Sequence, residues 1–180
     1  MELFATAWHA CRHTYISVVS YFEDLSDYTY HRSVFARPET KAIGWLALGH
    51  DFSTCVPTDD ILDLLWSHCS ISIAQMRGLH FCEFCPSGSA INAERHGKKL
   101  LLGSSEIRVF SGTGRIYAAP TLIYHYVAVH HYCPPDEFLR ALREGPAPPS
   151  RGYFERLERL NLAWNETYPG GEIVIPPPPE

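Results

Sequence analysis

The period of apolar and polar positions changes several times along the chain. "VPTDDILDLLWSHC" has the helical period, with Ile61, Leu62, Leu65 and Cys69 on one face. Thr58 stands where a capping oxygen is useful, and Asp59 and Asp60 suit the positive end of a helix dipole. In "LLLGSSEIRVFSGTGRIYAAP", Ile107 and Val109 alternate with Glu106 and Arg108, and the glycines of "SGTGR" supply a turn. That pattern predicts a β-hairpin near residues 105–118. "APTLIYHYVAVHHYC" reads as a buried helix, with Pro120 in its first turn and Leu122, Ile123, Tyr126, Val127 and His130 on one side. "PPDEFLRALREG" reads as a second amphipathic helix that Gly145 ends. A last helix, "YFERLERLNLAW", lines up Phe154, Leu157, Leu160 and Trp164.

Shorter runs complete the outline. Tyr15–Tyr21 and part of "KAIGWLALGHDF" are rich in strand formers, with turns expected at Ser26-Asp27 and Gly49. Strands and helices do not alternate in a β-α-β rhythm. The predicted class is therefore α+β: a small antiparallel sheet that includes the 105–118 hairpin, packed with about four helices. Residues 1–20 read as an N-terminal extension and residues 21–145 as a single domain. Residues 146–180 read as a linker ("GPAPPSRG"), the last helix and a proline-rich tail.

Composition narrows the function. The chain has 180 residues, 46% hydrophobic and 19% charged, enough for a core of its own. A net charge of −5 and the lack of a basic run give no pull on nucleic acid or anionic membranes. No apolar run approaches the ~20 residues of a membrane span, and the N-terminus lacks the basic region of a signal peptide. The expectation is a cytoplasmic protein whose six cysteines stay as thiols or hold metal.

The chemistry concentrates in "RGLHFCEFCPSGS". Zinc takes four thiolate or imidazole ligands in a tetrahedron, and Cys82 and Cys85 offer two from one tight turn. In an extended segment His80 points to the same side as Cys82. Downstream, "YHYVAVHHYC" offers His125, His130, His131 and Cys133. His125 and His130 are roughly 140° apart around a helix, which argues for one ligand from that helix. The candidate zinc set is therefore His80, Cys82, Cys85 and His125.

Two other readings stay open: a redox pair, and thiols that are merely buried. Pro86, Ser87, Gly88 and Ser89 would break the helix that an oxidoreductase pair opens. If the site is catalytic, Glu83 and His130 are the candidates for acid and base. Neither the H-x-E…P-C-x-x-C order of deaminases nor H-E-x-x-H is present. "SGTGR" has no phosphate-binding lysine after it, and a hairpin turn accounts for it.

The blocks "GWLALGHDF", "RGLHFCEFCP", "GSSEIRVF" and "YAAPTLIYHYVAVHHYCPPDEFLRAL" occur in this order. From about Tyr21 to Leu142 the chain resembles an uncharacterised family of small bacterial proteins, a domain of unknown function. The family shows His-x-Cys-x-x-Cys and HYVxxHxYxPPxEF elements. The resemblance implies that these residues travel together, and it implies no reaction.

The function expected from these features is a cytoplasmic binding or regulatory module with a structural zinc. Its partner would be a protein or a small molecule. A metal-dependent enzyme with three protein ligands and an open position is the alternative, with His80, Cys82 and Cys85, or Cys82, Cys85 and His125, as ligands. A metal-free interaction protein with buried thiols is the second. Two structural expectations follow: Cys85 and His125 are neighbours in space, and Cys82 and Cys85 are not joined by a disulfide.

Overall fold

In a computed structural model, residues 20–30, 40–86, 88–167 and 169 are described. Along the chain the elements are β1 (Thr40–Ala42), α1 (Asp59–Cys69), β2 (Ile71–Ile73), β3 (Ile91–Arg95), β4 (Lys98–Leu102), β5 (Glu106–Phe110), β6 (Ile116–Pro120), α2 (Ile123–His130), α3 (Asp136–Glu144), α4 (Arg151–Arg159) and β7 (Trp164–Glu166). The expected strand over Tyr15–Tyr21 falls mostly outside the described residues, as does the proline-rich tail.

The class is α+β. One sheet has the order β1-β6-β5-β2-β7, and β3 and β4 form a separate hairpin. The larger sheet is mixed rather than purely antiparallel, because β1 runs parallel to β6 with Thr40 opposite Ile116. The predicted hairpin is β5–β6, with Glu106 opposite Pro120 and Phe110 opposite Ile116.

Period-two alternation in "EIRVF" is the mark of a strand with one wet face, but every residue of β5 is buried. Ile107 and Val109 join the core under α1, α2 and α3. On the other face Phe110 packs with Tyr153 and Leu157 of α4. Glu106 and Arg108 are 3% and 1% exposed and pair with each other at 2.7 Å. The alternation therefore marks a buried ion pair rather than a solvated face.

Two helices differ from expectation at their ends. Pro120 closes β6, and α2 begins after Thr121 and Leu122. The last helix stops at Arg159. Asn161 takes a left-handed φ of 59°, and the Leu162 amide donates to the Leu157 carbonyl. Trp164 then starts an edge strand opposite Ile73 instead of ending a helical stripe. The β3–β4 hairpin was not foreseen; its turn is His96-Gly97, with φ of 50° and 71°, the geometry of a two-residue hairpin turn.

Cys55 and Cys133 form a disulfide, against the expectation of thiols or metal ligands only. The left-handed φ of 56° at His131 turns the chain back beside residues 53–55. There Cys133 N–H donates to the Ser53 carbonyl and Cys55 N–H to the His131 carbonyl. Cys69, Cys82 and Cys85 are free, as expected for the last two. No helix among the described residues is long and apolar enough to cross a membrane.

His68 is a buried titratable group with a predictable consequence. It is 1% exposed, its Nδ1–H donates to the Leu64 carbonyl at 2.8 Å, and its ring meets Tyr153 edge-on. Burial lowers its pKa from 6.5 to about 4. The unfolded chain thus takes up the proton first. Stability from this group is complete above pH 6.5 and falls as the pH drops towards 4, by about 3 kcal/mol in all. A His68→Gln variant should show a shallower loss of melting temperature between these pH values than wild type. Equal slopes for the two would refute this assignment.

Candidate metal centre

The "HFCEFCP" segment is anchored at both ends before it offers any ligand. His80 N–H donates to the Gly103 carbonyl at 2.8 Å, and Gly103 sits at φ 98°. A side chain at Gly103 would run into the His80 carbonyl, so glycine permits the approach. Further along, Cys85 N–H donates to the Cys82 carbonyl and closes the C-x-x-C turn. The Glu83 carboxylate accepts from the Leu48 amide at 2.8 Å and ties the turn to the preceding loop. Phe84 inserts among Phe52, Tyr126 and His130.

These contacts set the two cysteines against α2, between His125 in its first turn and His130 at its end. Cys85 Sγ lies 3.3 Å from His125 Nε2 and 3.4 Å from His130 Nε2. Cys82 Sγ is 3.2 Å from His130 Nε2, and the two imidazole Nε2 atoms are 3.1 Å apart. One ligand atom from each of Cys82, Cys85, His125 and His130 falls within 4.8 Å of all the others. The expected nearness of Cys85 and His125 is therefore found.

The grouping departs from expectation in one pair of residues. His80 stands outside it, with Nε2 3.4 Å from the Tyr30 hydroxyl. His130, taken as a candidate acid or base and excluded as a ligand by helical angle, stands inside it. The angular argument failed because it ignored reach. Five residues apart on a helix means about 9 Å between Cα atoms, and two imidazoles pointed at each other span that gap. His130 is also the last residue of α2, where no further turn obstructs it. Glu83 is not in the group, and its carboxylate is committed to Leu48.

The electrostatics suit a cation. Burial, with help from His130, lowers the His125 pKa to about 4, and burial lowers that of His130. Both imidazoles are thus neutral near pH 7, the form that ligates. Burial raises the Cys82 thiol to about 11. A divalent ion reverses that preference, since a coordinating thiol gives up its proton.

The architecture and this side-chain group define a class: an α+β domain with two cysteines and two histidines converging on one point. By sequence the chain belongs to the family described as Domain of unknown function (DUF7919), whose model matches residues 20–143. That span contains all four members of the group. No curated protein and no solved structure matches the chain.

Proposed function

We propose that Cys82, Cys85, His125 and His130 hold a structural zinc ion, and that the protein works as a binding or regulatory module around it. The observation that carries this reading is the spacing of the four donors. A tetrahedral zinc with ordinary Zn–S and Zn–N bonds sets its donors about 3.3 to 3.8 Å apart. Four of the six separations here run from 3.1 to 3.4 Å, at or just inside that range, and all six lie within 4.8 Å. Buried or half-buried donor atoms this close, two of them thiol sulfurs, are well suited to an ion between them.

Four protein donors make a closed site, whereas catalytic zinc keeps one position for water. The committed carboxylate of Glu83 agrees with a structural role. The partner in this reading is a protein or small molecule rather than nucleic acid, in keeping with the net charge of −5.

Metal analysis of protein purified without chelator tests the reading. The expected result is one zinc per chain. Cobalt(II) exchanged into the site should give the intense visible bands of a tetrahedral thiolate site, and His130→Ala should weaken them. Protein free of metal, or a His130→Ala spectrum identical to wild type, would count against this ligand set.

A further inference from the structure

A separate cavity of about 260 Å³ lies on the α4 side of the sheet, lined by Phe110, Gly114, Ile116, Arg156, Arg159 and Leu160. Its two arginines differ from five of the seven other arginines among the described residues. Arg95, Arg108, Arg115, Arg143 and Arg151 each pair with a carboxylate. Arg156 and Arg159 have no ion pair among the described residues. Each is held by a backbone carbonyl instead: Arg156 Nη1 donates to Ser111 at 3.2 Å, and Arg159 Nε donates to Glu155 at 3.2 Å. The Glu155 carboxylate, one turn before Arg159, is taken by Arg151. Arg156 also lies over the Phe110 ring, 5.6 Å from its centroid. Both guanidiniums are thus oriented without being neutralised, and each keeps donors to spare.

The adjacent "SGTGR" turn spends two of its amides on itself. Its Gly114 amide donates to the Ser111 carbonyl and its Arg115 amide to Ser111 Oγ. Beside the two guanidiniums, the wall is the half-buried Leu160 over the buried side chains of Phe110 and Ile116. A planar guanidinium matches a carboxylate through paired hydrogen bonds, and an apolar lining rewards an apolar body.

We infer that this cavity binds a small carboxylate carrying an aromatic or branched apolar group, with Arg156 and Arg159 on the carboxylate and Phe110, Ile116 and Leu160 on the apolar part. The site involves no residue of the metal group and does not depend on it.

The test is calorimetric titration of the full chain with 3-phenylpropionate, its neutral amide, and inorganic phosphate. The carboxylate should bind saturably and the amide at least about tenfold more weakly, a difference of ~1.4 kcal/mol. Phosphate should be the weaker anion, since it leaves the apolar lining unused. Arg159→Gln, at an exposed position, should weaken the carboxylate about tenfold at an unchanged melting temperature, and Arg156→Gln by at least as much. The inference is overturned if carboxylate and amide bind alike, or if phosphate binds as tightly as phenylpropionate. It is also overturned if Arg159→Gln changes nothing, or if no saturable binding is seen up to about 10 mM, beyond any specific affinity worth the name.

Discussion

If the four residues hold zinc as proposed, a chelator or Cys85→Ser should lower the melting temperature by roughly 8–16 °C, the equivalent of about 4 kcal/mol in a chain of this size. Structural zinc is worth about 10–16 kcal/mol in modules that have no other core. Here the core under α1, α2 and α3 stands on its own apolar contacts, from Leu65 and Val109 to Phe138, so only part of that energy is at stake. The loss should also be local. Amides of the Leu79–Pro86 segment and the last turn of α2 should lose protection from hydrogen exchange first. Those of α4 should keep it, because Tyr153 and Leu157 are buried against Phe110 and Ile116 without help from the ion.

The control needs care. Cys55 is not a neutral position, since it is bridged to Cys133, three residues after His130. Cys69 is free, fully buried and outside the group, so Cys69→Ala should respond to chelator as wild type does. A Cys85→Ser protein that melts as wild type does, with and without chelator, would falsify the structural-zinc reading and favour buried thiols.

How much of this was legible in the sequence depends on how local each signal is. The α1 and α3 segments announced themselves, because their apolar spacing and acidic first turns are local and strong. The C-x-x-C turn was equally plain. Its partners were not, because the choice among His80, His125 and His130 depends on how the chain enters and leaves the turn. His80 is drawn off by its backbone bond to Gly103, a contact between residues 23 apart. His130 could have been retained by weighing side-chain reach as well as angle. The Cys55–Cys133 bridge spans 78 residues and had no sequence signal. The β3–β4 hairpin did have one, His-Gly after the alternating "INAER", but the "KKLLL" that follows lacks the alternation of a half-buried strand. The burial of Glu106 and Arg108 had no local signal either, since charged residues at period two ordinarily face water.

That buried pair should be the other most sensitive point in the fold. The Glu106 carboxylate accepts from the Tyr28 hydroxyl at 2.6 Å and from Arg108 Nη1 at 2.7 Å. Arg108 also donates to the Ile107 carbonyl, and its guanidinium lies 5.2 Å from the Tyr28 ring centroid. Arg108 Nη2 has no hydrogen-bond partner among the described residues, so the pair has little slack. Glu106→Ala leaves a buried guanidinium without its counter-charge, and such single removals cost about 3–5 kcal/mol. The melting temperature should fall by roughly 6–20 °C at this chain length. Glu106→Gln keeps an acceptor and the volume and should lose less. The double change Glu106→Leu with Arg108→Met removes both charges together. It should recover most of the loss, because desolvating the pair costs nearly as much as the pair returns. If Glu106→Ala costs less than about 1 kcal/mol, or if the double variant is no better than the single, the Arg108 charge is compensated by something other than Glu106.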